Sequence, residues 1–122
     1  MEFYIRQNAT DPILKLKMVD DGRNSNSSYN DLLENSTISF DMYDVKTRNP
    51  IILNGICHLS ERQERVNHTV DDYCIIYRFT EEGTAEPGRY EGIITISFLD
   101  TDLKQTSKLI VPIREKLFIN VI

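Results

Sequence analysis

An all-β fold, with antiparallel strands packed as a sandwich, is predicted by three observations. Apolar side chains recur at every second position in segment after segment. The clearest case is Tyr90, Ile94, Ile96 and Phe98 with Gly92 in step, where Glu91, Thr95 and Ser97 take the opposite face. Turn-forming clusters such as Asp20-Asp21-Gly22 and Pro87-Gly88 punctuate these segments, at the spacing of about 8–12 residues that sandwiches show. No stretch of about ten residues or more holds a 3.6-residue period. Side chains on a strand project alternately to two faces, so the same residues placed on a helix would scatter around it.

Taken in order, Phe3 to Arg6 reads as a short strand and Asp11-Pro12 as a turn. Ile13 to Met18 is a second strand with Leu14, Leu16 and Met18 inward and Lys15 and Lys17 on the solvent side. Arg23 to Asn30, rich in Asn and Ser, has no apolar period and is expected as an exposed loop, with Leu32 and Leu33 plugging the edge of the core. Ser36 to Asp44 alternates Ile38, Phe40 and Met42 against polar neighbours, as a half-buried strand requires. Asn49-Pro50 breaks the chain. Ile51 to Leu59 follows as one strand, with Gly55 marking a bulge or a close backbone approach.

Ser60 to Asp71 is polar and charged, a wide loop or a single helical turn. Tyr73 to Phe79 carries apolar side chains on both faces, with Ile75, Tyr77 and Phe79 on one and Cys74 and Ile76 on the other, which predicts a central strand or one whose outer face meets a partner. Lys108 to Ile113 and Leu117 to Val121 close the fold. Pro112, which has no N–H to donate, belongs at an edge or a bulge. The total is an immunoglobulin-like antiparallel β-sandwich of about seven or eight strands, expected as one domain over residues 1–122. The Cys and Trp markers of antibody domains are absent, since the chain has no Trp.

A chain of 122 residues buries a core without staples, and its 40% hydrophobic and 27% charged composition is that of an ordinary globular protein. The formal charge of −5 argues against general nucleic-acid binding, which needs clustered Lys and Arg. No apolar run reaches the roughly 18 residues of a membrane span, and Met1-Glu2-Phe3-Tyr4 does not open like a secretion signal. Cys57 and Cys74 lie in separate strand-like runs. They are expected as small buried thiols, and a disulfide requires those runs to pair. The short paired spacings of zinc ribbons are missing.

Several segments resemble a known family: Phe3-Tyr4-Ile5-Arg6-Gln7-Asn8, Asp20-Asp21-Gly22, Leu32 before Ile38-Ser39-Phe40, and Pro87-Gly88-Arg89-Tyr90. Together they resemble the N-terminal domain of tailed-phage baseplate upper proteins, an immunoglobulin-like module of virion structural proteins. In that family an aromatic pair Tyr-x-Trp is followed by Asp-Thr and then Pro-Gly-x-Tyr. Here Tyr77 and Phe79 match the pair with Phe in the Trp position, Gly83-Thr84 stands in place of Asp-Thr, and Asp100-Thr101 replaces a closing Asp-Gly turn. The resemblance runs from Phe3 to about Val121 through core and turn positions, and implies a module that docks one virion component onto another.

The chemistry-bearing residues point the same way. There is no Gly-x-Ser-x-Gly elbow, phosphate-cradling Gly-rich loop or His-Glu-x-x-His. Glu61, Glu64, Glu81 and Glu82 sit in polar connecting segments, without the apolar setting that raises a catalytic carboxyl, and His58 and His68 have no partner at a family spacing. Asp20, Asp21, Asp100 and Asp102 read as turn formers rather than as a calcium ligand series. Asn-x-Ser/Thr triplets begin at Asn8, Asn26, Asn35 and Asn67, expected as chance in a chain rich in Asn and Ser.

The expectation is therefore a non-enzymatic structural component of a tailed-phage virion, in its tail, baseplate or head–tail region. It needs no cofactor or metal, contacts no nucleic acid or membrane directly, and docks other virion proteins in many symmetric copies. Its location is the virion, assembled in the host cytoplasm. The N-terminal and C-terminal strands are the expected sheet edges, with Phe3, Ile5, Phe118 and Ile122 as interface candidates. The alternatives are a capsid-surface decoration protein and a carbohydrate-binding or adhesion module, for which Tyr29, Tyr43 and Tyr73 are the candidate platforms.

Overall fold

A computed structural model describes residues 1–17, 36–60, 74–100 and 105–122. The described residues form strands and no helix: β1 (Glu2–Ile5), β2 (Leu14–Lys17), β3 (Thr37–Asp44), β4 (Pro50–Ile56), β5 (His58–Leu59), β6 (Cys74–Tyr77), β7 (Gly88–Asp100), β8 (Gln105–Val111) and β9 (Leu117–Val121). They make two sheets. One is six-stranded in the order β1-β9-β7-β3-β4, with β8 also on β7, and the other is three-stranded in the order β2-β6-β5. A single cluster of buried side chains from both sheets forms the core, an arrangement compatible with a β-sandwich.

The 13-residue β7 organises the larger sheet. β3 lies along one flank of it, pairing from Thr37↔Ser97 to Asp44↔Tyr90. The other flank is shared end to end: β9 pairs with Gly88 to Gly92, and β8 pairs with Ile94 to Asp100. Residues 112–116 leave the sheet between those two ladders. Pro112 thus falls just past β8, outside any ladder, where its missing N–H removes no strand bond.

Two expectations about this sheet are corrected. It is mixed rather than antiparallel, because β1 and β9 run parallel in the register Glu2↔Phe118 to Ile5↔Val121. Alternation reports which face a side chain takes and carries no information about strand direction. The C-terminal strand is not an edge either, since β9 is flanked by β1 and β7 and only β1 of the two terminal strands is outermost. Backbone bonds tie this corner: Phe118 N–H donates to Met1 O at 2.9 Å and Ile122 N–H to Ile5 O at 2.9 Å.

Phe40, wholly buried on β3, is the hub of the core. Its ring lies 4.4 Å from that of Tyr77 and 5.8 Å from that of Phe79, and Tyr77 and Phe79 meet edge-on at 5.1 Å. Gly92 makes room for it, because a Cβ there would stand 2.9 Å from Phe40 Cε2 and 3.2 Å from Leu117 Cδ2. Gly55 does the same for Tyr77, whose Cε2 would lie 2.8 Å from an added Cβ. The neighbouring register shift in β4 is carried by Asn54, which takes the left-handed conformation at φ 56.

The expected single strand from Ile51 to Leu59 is split. β4 belongs to the larger sheet and β5 to the smaller, and the chain changes layers at the buried Cys57, whose N–H donates to Ile38 O at 3.2 Å. β6 is the central strand of its sheet, as its two apolar faces predict. Met18, Leu32, Leu33 and the segment Arg23 to Asn30 lie outside the described residues.

Replacing the hub is expected to be costly in proportion to its burial. Phe40→Ala should lower unfolding free energy by about 3–5 kcal/mol in denaturant titrations, the range for a large aromatic removed from a core. Tyr43→Ala, three residues along and on the opposite face, should cost about 1 kcal/mol or less.

Candidate functional site

One face of the six-stranded sheet covers the core and the other faces outward. On the outer face the register aligns Tyr43, Glu91, Phe118 and Glu2 in one row across four strands. Two arginines lie over this row. Arg48 Nη1 donates to Glu91 Oε2 at 2.7 Å while its guanidinium sits 5.8 Å from the Tyr43 ring centre. Arg89 Nη2 donates to Glu2 Oε2 at 3.0 Å, and its guanidinium lies 4.1 Å from the Phe118 ring centre. Asn120 Nδ2 completes the set by donating to Glu2 Oε1 at 3.0 Å. Each arginine is thus held by a carboxylate and an aromatic face, which restricts its side-chain freedom in the isolated chain.

Local backbone chemistry places Arg48. Asp44 Oδ1 accepts from the Lys46 N–H at 2.8 Å and the Thr47 N–H at 2.9 Å, which folds the β3–β4 connection back on itself. Those same backbone N–H groups hold the Asp44 carboxyl below its usual range. Arg48 then takes the left-handed conformation at φ 61, and its N–H donates to Asp44 O at 2.9 Å.

The four interface candidates separate. Ile5, opposite Val121, is 2% exposed and belongs to the core, so it is removed from the candidate interface. Phe3, opposite Ile119, also turns inward and stacks on Phe79 at 5.6 Å. Phe118 lies on the outer face beneath Arg89, and Ile122 is 64% exposed. Tyr4, Arg48 and Arg89 share that surface without having been singled out from the sequence. The signal for Tyr4 was present: in Glu2-Phe3-Tyr4-Ile5 the more apolar alternate pair is Phe3 and Ile5, which directs them to the core and Tyr4 outward.

Among the described residues no three His, Cys, Asp or Glu side chains converge as a ligand set. Glu81 and Glu82 are exposed, as is His58. Glu61, Glu64, His68, Asp20, Asp21, Asp102, Tyr29 and Tyr73 lie outside the described residues. The two thiols are free. The ladder His58↔Ile76 and Leu59↔Ile75 sets Cys57 level with Tyr77, while Cys74 meets Ser60, whose N–H donates to Cys74 O at 2.9 Å. A separation of three strand positions, roughly 10 Å, is too far for a disulfide.

Burial pushes the Cys57 thiol up to about 11 from an ordinary 9.0, and the Asp41 carboxylate adds to the shift. Burial also raises Tyr77 and Tyr90. The neutral thiol is favoured only in the folded chain, so the unfolded chain loses this proton first as the pH rises. Stability should hold below about pH 9 and fall by roughly 2–3 kcal/mol toward pH 11 from Cys57 alone. Cys57→Ala should flatten part of that slope in denaturant titrations at stepped pH, and native Cys57 should resist alkylation at pH 8.

No protein-family model matches the chain, and neither do the curated proteins or the solved structures.

Proposed function

We propose that the chain is a non-enzymatic docking module, an immunoglobulin-like sandwich that joins structural proteins of a tailed-phage virion through its outer sheet face. The observation that carries the docking role is the row Tyr43, Glu91, Phe118 and Glu2 with Arg48 and Arg89 ordered above it. Tyr, Phe and Arg are the side chains that protein interfaces enrich at their centres, and here two arginines are already oriented before any partner arrives. The virion setting is supported by the resemblance carried by Phe3 to Asn8 and Pro87-Gly88-Arg89-Tyr90.

Two features support the immunoglobulin-like reading. The order β2-β6-β5 fits strands B, E and D, while β9-β7-β3-β4 fits strands G, F, C and C′. Tyr90 stands at the start of the strand in the F position, and its hydroxyl donates to Glu86 O at 2.8 Å, four residues upstream, as the tyrosine corner of such folds does. Antibody domains carry a cysteine two residues after that tyrosine. Gly92 stands there in this chain, and the Phe40 ring fills the space above it.

Sedimentation tests the proposal. The purified chain is expected to co-sediment with tail or head structural proteins of its particle. Phe118→Glu should weaken that association by about 2 kcal/mol or more, as loss of a central aromatic does. Ile113→Glu, on the exposed loop between β8 and β9, should leave it unchanged. A chain that stays monomeric and never co-sediments with particle components refutes the docking role.

A further inference from the structure

The other half of the outer sheet face has a different chemistry. There a groove of about 640 Å³ runs across β3 and β7 between Asn54 and Ile56 on one side and Lys108 on the other. Its floor is a block of hydroxyls in two cross-strand pairs, Thr37↔Ser97 and Ser39↔Thr95. The register extends both rows. Lys108 lies beside Ser97, and Ile56 and Ile110 bracket the Ser39–Thr95 pair from β4 and β8, 74% and 59% exposed respectively.

Several hydroxyls elsewhere among the described residues are committed to the fold. Thr84 Oγ1 donates to Ala9 O at 2.8 Å, Thr80 Oγ1 accepts from Gly83 N–H at 3.1 Å, and Ser60 Oγ accepts from Cys74 N–H at 3.0 Å. Among the described residues the side chains of Thr37, Ser39, Thr95 and Ser97 have no such partner, and Lys108 has no ion pair. Asp41, at the far end of the groove, accepts the Asn54 N–H on Oδ1 at 2.8 Å, which leaves Oδ2 open. Asp41 and Lys108 are separated by two strand spacings and four residues along the strands, roughly 17 Å.

We infer that this groove binds a saccharide of more than one ring that bears a single anionic group. Sugar hydroxyls both donate and accept, which matches a floor of Ser and Thr side chains able to do the same. Lys108 takes the anion in a charge-assisted bond. Asp41, an acceptor only, repels an anion and accepts from neutral hydroxyls, so the ligand lies with its charged end on β8. Ile56, which lines the groove, offers apolar contact to the C–H edges of the rings, and the groove volume falls within the range of small-ligand sites. The inference goes beyond the docking role and does not depend on it, since Phe118 and its arginines occupy the opposite half of the sheet.

The test titrates the full chain calorimetrically with a uronate-terminated trisaccharide and with its neutral hexose counterpart. The acidic sugar is expected to bind saturably and about tenfold tighter than the neutral one, the worth of one charge-assisted hydrogen bond. Lys108→Gln should bring the acidic sugar to the level of the neutral one and leave the latter unchanged, whereas Thr95→Val should weaken both. Circular dichroism of these surface variants should match the unmodified chain, and Phe118→Glu should leave sugar binding intact while weakening docking. Absence of saturable binding by the acidic trisaccharide, equal affinity for the two sugars, or indifference to Lys108→Gln and Thr95→Val overturns the inference.

Discussion

The ring of Phe40 seated over the bare backbone of Gly92 is the contact on which the two layers depend. The ring reaches from the larger sheet to Tyr77 and Phe79, and it fits because Gly92, beneath it on β7, has no Cβ. Interiors at close-packed density transmit even a methyl group's worth of change. Phe40 and Gly92 therefore have to be read as a pair, and the outer face inherits its geometry from the fit beneath it.

That outer face is divided chemically along the length of β7. Near the start of the strand, Arg89 and Glu91 sit among aromatic rings, and every charge is matched by a neighbour. Toward its end, Thr95 and Ser97 lie among other hydroxyls, with Lys108 beside Ser97 on the neighbouring strand. A single strand thus carries two surfaces, one preassembled from ion pairs and rings and one left open to hydrogen bonding. The alternation that buries Ile94 and Ile96 is what exports these polar residues to one continuous plane.

Much of this was legible in the residues. Ile38, Phe40 and Met42 declared their face by period, as did Leu117, Ile119 and Val121, and all six are buried. Strand direction was not legible, because the parallel partnership of β1 with β9 joins segments more than a hundred positions apart and leaves no trace in a local pattern. The layer change at Cys57 was hidden for a related reason: apolar residues continue through Ile56 to Leu59 without a turn signal. Of the interface candidates, Phe118 was assigned to the outer face by alternation, and it lies there beneath Arg89. Ile5 was misplaced by treating a terminal strand as free surface, although its own alternate pairing with Phe3 indicates the core.

The excursion of residues 112–116 has an architectural consequence. It departs after Val111 and returns at Leu117, and on β7 the two anchoring partners, Ile94 and Gly92, are separated by Ile93 alone. Ile113 to Lys116 are all exposed. Its ends are therefore pinned close together by ladders that close independently, and lengthening such a loop adds only a slowly growing entropic term. This corner is where the scaffold can absorb extra sequence, so related chains could diverge here in length, or a foreign peptide be displayed, while the layered body beneath keeps its shape.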